Sequence, residues 1–387
     1  MNGSAWTPVR GEMANSPRAV LLKRVEARVK ICEIKDDQFK WLVIFGRGRG
    51  RGPIMERKMI PRPEPGRAKF IPQKNCWTCG EDQLVPVHQA CFDLTEYSGQ
   101  DPALAAYTGQ RFWLQRCRSC GFAQPEALPA LPNFFDRLYD QRWADAWMEQ
   151  EFNSHCKDAI FHTILDQLAK RVPRSERTLL DIGAHVGRFL ERARQSGWRA
   201  EGIELNPQTA AFAARRTQLP VHQVNAQRLV LEEKQYAAVT LIDVLEHIPD
   251  PVKTLLDPIR KLLLPGGWVA VKVPCGRNQL RKEHVRALFS KRHRISVADN
   301  LVHVSHFSPT SLRRALRTAG FSRVFLTVGA PELGTAETGA VRANLSNLFR
   351  LGVYRLGRFL PWGVHSPLAL NLQAYAQNPF AGRCECA

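Results

Sequence analysis

The chain has 387 residues, enough for one large domain and a smaller one. Its formal net charge is +19 at pH 7, and residues 1–70 alone hold 16 lysines and arginines against seven acids. No apolar run reaches the roughly 18 residues that a transmembrane helix needs, and the amino terminus lacks the pattern of a secretory signal. We therefore expect a cytoplasmic protein whose basic surface favours nucleic acid, anionic lipid or an anionic substrate.

Residues 1–70 have the composition of a basic, mostly disordered extension. Glycine and arginine alternate over residues 46–52, and residues 61–65 are rich in proline, so this part cannot bury a core of its own. Only residues 41–45 are apolar enough to dock elsewhere. Three interpretations remain open: an RNA-binding arm of the arginine-glycine type, a plain tail, and an upstream extension with translation beginning at Met55 or Met59.

Four of the ten cysteines form two C-x-x-C pairs, each followed directly by a glycine. Four thiolates suit a tetrahedral zinc ion, and the paired spacing favours metal over disulfides in a reducing compartment. The glycines allow tight turns that direct backbone N–H groups toward the sulfur atoms. We predict a zinc-binding domain over residues 71–125, with a closed site that stabilises the fold and leaves no position for catalysis. The predicted ligands are Cys76, Cys79, Cys117 and Cys120; His88 and Cys91 are spare donors, and four cysteines without metal are the alternative.

Residues 178–194 change from an apolar strand to a helix across a glycine loop. Asp181 stands near the end of the strand, and Gly183 and Gly187 permit the tight turn that follows it. Because glycine has no side chain, the backbone can approach a nucleotide there, and the N–H groups at the helix start face it. The spacing D-x-G-x-x-x-G differs from the dinucleotide fingerprint G-x-G-x-x-G and suits a ligand with a cationic or hydroxyl-bearing end.

This loop and the landmarks that follow it resemble the class I S-adenosylmethionine-dependent methyltransferases. The resemblance implies that Glu204, at the end of the second strand, accepts both ribose hydroxyls. Asn225 stands where relatives carry an acid that contacts adenine, and His185 replaces a glycine that many members have in the loop. The cofactor-binding residues predicted in this way are Asp181, Gly183, Gly187, Glu204, Asn225 and Asp243.

Strands and helices alternate across residues 173–380, which predicts a parallel sheet with helices on both faces. The expected fold class is α/β: a Rossmann-like, doubly wound sheet, mostly parallel with an antiparallel last strand, beside a small zinc-ribbon-like domain. The resemblance implies that residues 321–328 and 368–376 are the last two strands, paired antiparallel. It also implies that residues 126–172 are a linker and a helix that covers the cofactor cleft.

Between the last two strands, residues 345–362 have the pattern of a basic amphipathic helix. Three roles stay open for this helix: it covers the sheet, it forms a dimer contact, or it contacts a membrane surface. The sequence does not indicate the oligomeric state.

The ligand edge of the predicted sheet also carries groups suited to an acceptor. Residues 277–294 hold seven lysines and arginines against one acid, which suits an anionic acceptor such as a sugar nucleotide or a phosphate ester; an exposed basic loop is the alternative. Nearby histidines are candidates for a general base or a substrate anchor, although a histidine there can also be purely structural. The predicted catalytic residues are His247, His303 and His306.

Twin C-x-x-C pairs ahead of such a domain are similar to the arrangement in sugar-nucleotide C-methyltransferases of natural-product and surface-polysaccharide pathways, over residues 71–380. Those enzymes usually carry a further carboxyl-terminal domain that this sequence does not contain. The implied function is methyl transfer from S-adenosylmethionine to a small, anionic acceptor, with zinc as a structural ion. An RNA methyltransferase is the first alternative, although residues 243–246 differ from the N-P-P-[YF] type of amino-methylating nucleic-acid enzymes. A non-catalytic binding protein is the second, and the intact Asp181 and Glu204 argue against it.

Overall fold

The structure is a computed structural model, and it describes residues 34–36, 39–46, 54–59, 68–226, 234–289, 302–334, 340–360 and 362–380. The chain divides into two compact units, Met1–Glu64 and Pro65–Ala387. The first unit holds an antiparallel sheet in the order β1 (Ile34–Asp36), β2 (Phe39–Gly46) and β3 (Ile54–Met59). These strands lie within the segment for which the sequence predicts mostly disorder. Most of the glycine-arginine repeat and the whole proline-rich run lie outside the described residues.

The second unit begins with a small β module that carries the four predicted zinc ligands. Its main sheet is antiparallel and has three strands, and a separate pair of short strands lies beside it. The three-stranded sheet contains β5 (Leu84–Cys91), β6 (Arg111–Cys117) and β7 (Ala123–Pro125), the pair contains β4 (Phe70–Pro72) and β8 (Ala127–Pro129), and the short helix α1 (Thr95–Ser98) follows β5.

Three helices join the β module to the large sheet: α2 (Phe134–Tyr139), α3 (Asp145–Asn153) and α4 (Asp158–Ala169). The apolar positions of α4 are buried, as its 3.6-residue pattern predicts. The single covering helix expected within residues 126–172 is divided into α3 and α4, because the backbone becomes extended at Ser154 (φ −67°, ψ 132°). The expected linker itself contains α2, whose Phe134 and Leu138 are buried in the same core as the β module.

The large sheet has seven strands in the order β11-β10-β9-β12-β13-β15-β14. The first five are parallel, and β15 runs antiparallel to both of its neighbours. This confirms the predicted fold class, including the antiparallel last strand. The strands are β9 (Thr178–Ile182), β10 (Arg199–Glu204), β11 (Val221–Gln223), β12 (Tyr236–Ile242), β13 (Leu263–Pro274), β14 (Ser322–Val328) and β15 (Asn371–Gln377).

Helices connect the strands and complete the layers around the sheet. The central strands β9 and β12 are buried along almost their whole length, as the strands of a parallel sheet covered on both faces should be. The helices are α5 (Arg188–Gln195), α6 (Pro207–Thr217), α7 (Asp257–Leu262), α8 (Gly276–Phe289), α9 (Pro309–Thr318) and α10 (Ala340–Phe359). No helix in the described parts of the chain is both long and apolar enough to span a membrane.

The β module and the large sheet share one hydrophobic core. Phe122 packs on Phe307 with 5.0 Å between ring centroids, and the backbones of Ala123 and His306 exchange two hydrogen bonds of 3.1 and 2.9 Å. The segment that leads into α9 is therefore fixed on one side by the module. This contact has consequences for one of the predicted catalytic histidines.

Candidate cofactor and acceptor site

A cavity of about 360 Å³ opens at the carboxyl ends of β9, β10 and β12, the edge at which doubly wound sheets bind their ligands. Five of the six predicted cofactor residues line it, with the exception of Gly187. His247 also lines it, whereas His303 and His306 do not. The helix α2 and the segment between α3 and α4 contribute Asp136, Tyr139 and Lys157 to its wall.

One end of the cavity, which we call the cofactor end, contains Asp181, Gly183, Glu204 and Asn225. Asp181 is its most deeply buried acid, with 3% of its surface exposed. Its Oδ1 accepts a hydrogen bond of 2.6 Å from the hydroxyl of Thr240 on the neighbouring strand β12. Burial raises the pKa of Asp181 to about 7, and the negative charge of Glu204 adds to the shift. A cationic ligand in the cavity would favour the ionised form of this carboxylate.

Both glycines of the loop, Gly183 and Gly187, adopt positive φ angles at positions where a side chain would collide with a neighbour. Gly183 has φ +77°, and a Cβ there would lie 2.5 Å from Cγ2 of Val244, so any other residue would be strained and would have to displace Val244. Gly187 has φ +84° and precedes α5, where a Cβ would lie 2.9 Å from Cγ2 of Thr217. Gly187 therefore allows α5 to pack on α6 and does not contact the cavity. His185 adopts φ +51° and places its ring against Trp147, so the loop keeps its turn without the usual glycine.

Glu204 ends β10 with its carboxylate fixed by backbone donors. Oε2 accepts from the N–H of His185 at 2.8 Å, and Oε1 accepts from the N–H of Asn206 at 2.9 Å. Each oxygen retains a lone pair for a further donor, as recognition of two hydroxyls requires. Burial raises the pKa of Glu204 above its ordinary value.

Asn225 lies at the cavity wall and donates from Nδ2 to Oδ1 of Asp136 at 2.8 Å. An acid from α2, far away in sequence, therefore lies directly beside Asn225. Asp136 is a residue that the sequence did not single out, because nothing in its surroundings links it to the cofactor edge.

Asp243 has both carboxylate oxygens engaged by lysines. Lys157 donates to Oδ2 at 3.0 Å, and Lys272 donates to Oδ1. Burial alone would raise the pKa of Asp243, but the two ammonium groups outweigh it and hold the pKa well below its usual range. The lysines were missed, although Lys272 carries a recognisable signal as a charged residue within the otherwise apolar strand β13.

His247 and His303 lie against each other, with 4.7 Å between their ring centroids in an edge-to-face arrangement. The Nδ1–H of His247 donates to the carbonyl oxygen of Val302, which leaves Nε2 as the free ring nitrogen. Tyr139 packs against the other side of His247, at 5.6 Å. Burial lowers the pKa of both histidines, so both rings are neutral at pH 7.

Glu246 lies directly beside these rings and is 1% exposed. Its backbone carbonyl accepts from the N–H groups of Val304 and Ser305, both at 2.9 Å, which fixes the segment carrying His303. Within the described residues its Oε2 has no hydrogen-bond partner. Burial, followed by the charge of Asp243, raises the pKa of Glu246 to about 8. Donor atoms of Glu246, His247 and His303 all lie within 4.8 Å of one another, a spacing that could also hold a cation.

His306 is separated from this group although it follows His303 by only three residues. Its side chain is 4% exposed, and its Cβ lies where a Cβ on Gly276 would collide, at 2.7 Å. Burial lowers the pKa of His306 to about 4, and among the described residues its Nε2 lacks a partner. The geometry therefore places His306 at the contact between the β module and the large sheet, outside the cavity.

The four predicted zinc ligands come together in the β module, with their sulfur atoms within 4.8 Å of one another. The Sγ atoms of Cys76 and Cys120 are 3.6 Å apart, and so are those of Cys79 and Cys117. Tetrahedral zinc with Zn–S bonds of about 2.3 Å requires sulfur separations near 3.8 Å, so the cluster fits the ion. His88 and Cys91 are not part of the cluster found among the described residues.

The turns at the two C-x-x-C pairs differ from the prediction in which backbone N–H groups face the sulfur atoms. Gly80 and Gly121 have φ of +79° and +72°, as predicted, but their N–H groups donate to the carbonyl oxygens of Cys76 and Cys117. The sulfur atoms receive backbone N–H groups from neighbouring residues instead, among them Thr78, Glu81 and Phe122. The glycines therefore close the turns, and other residues face the sulfurs.

The basic segment 277–294 is largely helical and not a loop, since α8 extends to Phe289. Arg277 donates to the carbonyl oxygen of His365 at 3.1 Å, and Arg281 is exposed. Lys291, Arg292 and Arg294 lie outside the described residues. An anionic acceptor site in this segment stays a prediction.

Comparison with known proteins supports the interpretation of this cavity as a methyltransferase site. A family model described as "Methyltransferase domain" matches residues 149–324, which contain the glycine loop, Glu204 and the His247 segment. Residues 149–324 form a methyltransferase domain, in agreement with the resemblance to the class I S-adenosylmethionine-dependent methyltransferases. The mostly parallel sheet with its antiparallel last strand, and the cavity beside the glycine loop of this methyltransferase domain, agree with what the resemblance in the sequence implies.

Curated relatives of the methyltransferase domain include two bacterial proteins named ubiquinone biosynthesis O-methyltransferase. The one from Hydrogenovibrio crunogenus is 27% identical over 162 residues, which are 40% of this chain and 64% of the relative. The one from Bordetella avium is 28% identical over 188 residues, which are 46% of this chain and 75% of the relative. The match thus spans less than two thirds of the first relative's length.

Among solved structures, an S-adenosylmethionine-dependent methyltransferase from Archaeoglobus fulgidus superposes with a TM-score of 0.38 and 18% identity, over 60% of this chain and 98% of that one. The fold assignment depends on the strand order of the sheet and not on this superposition.

Proposed function

We propose that this protein transfers the methyl group of S-adenosylmethionine to a hydroxyl oxygen of a small acceptor. The observation that carries the proposal is the position of His247: its neutral ring lines the same cavity as Asp181 and Glu204, and the bond to Val302 leaves Nε2 free. One cavity thereby contains both the residues that would bind the cofactor and a histidine that could act as a base.

The described residues fit the cofactor. Glu204 would accept the ribose hydroxyls through the two oxygens that backbone N–H groups already orient. Asn225 and Asp136 would meet the adenine, and Asp181 would supply negative charge beside the loop where Gly183 leaves room for a ligand. When bound, S-adenosylmethionine supplies an electrophilic methyl group, so the chain has to orient the acceptor and remove its proton.

His247 is the proposed base. The carbonyl of Val302 fixes the tautomer, so Nε2 can accept the proton of an acceptor hydroxyl. The edge-to-face contacts with Tyr139 and His303 hold the ring in its orientation. His303 is a second base candidate from the sequence, and its position beside His247 gives it a supporting role in orienting that ring or the acceptor.

The names of the curated relatives support an oxygen acceptor over a carbon acceptor. The alternative acceptor is the sugar nucleotide that the twin C-x-x-C pairs suggest. The exposed arginines of α8 would then contact its phosphates. For the β module we propose structural zinc, since the four thiolates form a closed and largely buried set.

The test is a methyl-transfer assay with labelled S-adenosylmethionine and three acceptors: a catechol, a nucleoside diphosphate sugar and a structured RNA. The proposal predicts label on the catechol or on a sugar hydroxyl, at a rate that rises with pH until the base is fully neutral. Label on RNA alone, or on a carbon atom of the sugar, would contradict it. Metal analysis of the same preparation should find one zinc ion per chain, and a chain without zinc would refute the structural-zinc proposal.

A further inference from the structure

We propose that the outer face of α10 binds to the surface of an anionic lipid bilayer. The face is an apolar stripe of six side chains: Leu345, Leu348, Phe349, Leu356, Phe359 and Trp362. The contact would lie in the plane of the lipid headgroups. It is independent of which acceptor the cavity binds.

The apolar stripe is unusual in its exposure. Its members expose between 56% and 82% of their surface, and they make up half of the strongly exposed large apolar residues found in the described parts of the chain. At 100° per residue, the five helical members fall on one side of α10. Scattered exposed apolar residues are normal, but a contiguous set of this size indicates a contact surface.

The opposite face already binds α10 to the protein. Tyr354 packs against the core of the large sheet, and Gly357 is buried against Leu368. Asn347 exchanges hydrogen bonds of 2.7 and 3.0 Å with the backbone of Gly334, and Arg350 donates to the carbonyl of Glu332 at 2.8 Å. The helix is therefore held in one rotational position, with the apolar stripe outward.

The charges around the apolar stripe are of one sign. Residues 340–362 contain four arginines and no acid. Arg355 lies at the edge of the stripe, is exposed, and forms no ion pair with a carboxylate of the described residues, whereas Arg350 and Arg358 lie on the protein-facing side. Long basic side chains beside an apolar face can extend to phosphate groups while the apolar residues enter the headgroup region.

This charge pattern favours lipid over a second copy of the chain as the occupant. Two copies packed stripe to stripe would place Arg355 of each helix at the contact, and neither helix supplies an acid to pair with it. An anionic bilayer neutralises the arginines and covers the apolar side chains at the same time, with each basic residue near the surface contributing roughly fivefold in affinity. Trp362, which follows the helix, adds an aromatic side chain of the type found at membrane interfaces.

The experiment is sedimentation of the full chain with vesicles of phosphatidylcholine alone and of phosphatidylcholine with 30% phosphatidylglycerol. The proposal predicts pelleting with the anionic vesicles, weakened by Phe349→Glu by at least about tenfold. The matched control is Ile71→Glu, which places the same charge on another exposed apolar residue, 55% exposed, and should bind as the parent does. Both variants retain the basic residues 1–70, so binding through that segment would not distinguish them.

A second variant tests the charge. Arg355→Gln should lower binding to the anionic vesicles and reduce its salt dependence, while calorimetric binding of S-adenosylmethionine stays unchanged. Equal binding by Phe349→Glu and Ile71→Glu would overturn the proposal. It would equally be overturned by light scattering that shows a dimer which Phe349→Glu dissociates, together with no binding of the parent to vesicles.

Discussion

The two ends of the cavity are built in different ways. At the cofactor end, Asp181 and Glu204 terminate neighbouring parallel strands, and backbone donors or a buried hydroxyl fix their carboxylates. At the proposed acceptor end, His247 lines the cavity and packs against His303, which comes from a segment more than 50 residues away and does not line the cavity itself. Contacts with Val302, Tyr139 and Glu246 hold this pair in place. The sheet alone positions the first end, whereas the second requires loops to be packed correctly, which explains why the first is easier to predict from sequence.

The largest expected effect comes from His247→Asn, at the acceptor end. The asparagine amide can still donate to the carbonyl of Val302, so the local structure is kept while the base is lost. We expect kcat to fall by about 10²- to 10⁴-fold with little change in cofactor affinity. Turnover assays and calorimetry with S-adenosylmethionine check this, with His162→Asn on the exposed side of α4 as the matched control. A parallel loss of cofactor affinity would show that His247 belongs to the cofactor end.

The second largest effect should come from Glu204→Gln, at the cofactor end. Glu204→Gln removes the charge that orients toward the ribose while leaving an oxygen to accept one backbone donor. We expect cofactor affinity to fall by about 10- to 100-fold, since hydrogen bonds to a charged group are the strong ones. At saturating cofactor, kcat should change little. If kcat falls as much as affinity, Glu204 also acts on the reacting atoms and the division between the two ends is wrong.

A smaller effect concerns the pH dependence of stability. Glu246 has a folded-state pKa of about 8, above its ordinary value of 4.5, because it is buried. Between these values the folded chain binds a proton that the unfolded chain releases, so the free energy of unfolding falls as pH rises through this window. Glu246→Gln should reduce that fall by roughly 1–4 kcal/mol between pH 5 and 8. Urea unfolding at several pH values measures it, and Glu176→Gln on the surface is the control; identical slopes for both variants would contradict the assignment.

The smallest effect on turnover should come from His306→Gln. His306 is buried at the contact with Ala123 and lies outside the cavity. We expect a lower melting temperature and a change in kcat of less than about threefold once the folded fraction is corrected for, since the residue acts through packing. A loss of turnover comparable to that of His247→Asn, in a protein of unchanged stability, would restore the catalytic role that the sequence suggests for His306.

The sequence predicted the fold and the cofactor end because both follow from strand endings. Asp181, Gly183 and Glu204 stand at fixed positions after apolar strands, and parallel strands bring their carboxyl ends to one edge. Gly187 was predicted on the same pattern, but its missing side chain serves the packing of α5 on α6. A glycine in the sequence shows that space is needed and does not show what fills the space.

The arrangement of the histidines at the proposed acceptor end could not be predicted from the sequence. His303 and His306 lie in an irregular segment without a helical or strand period, so nothing in the pattern says which of the two faces His247. Contacts between distant segments decide it: the backbone pairing with Ala123 turns His306 away, and the carbonyl of Glu246 fixes the chain beside His303. Asp136 reaches the cavity from α2, and Lys157 reaches it from the segment between α3 and α4; neither carries a local signal of its role.

The most direct test of the two-ended cavity is calorimetric titration of the zinc-assayed full chain with S-adenosylmethionine and with its demethylated product. The parent protein and His247→Asn should bind both ligands in the micromolar range, and Glu204→Gln should bind them at least about tenfold more weakly. Absence of binding by the folded parent protein, or equal affinities for all three proteins, would contradict the assignment of this cavity to the cofactor.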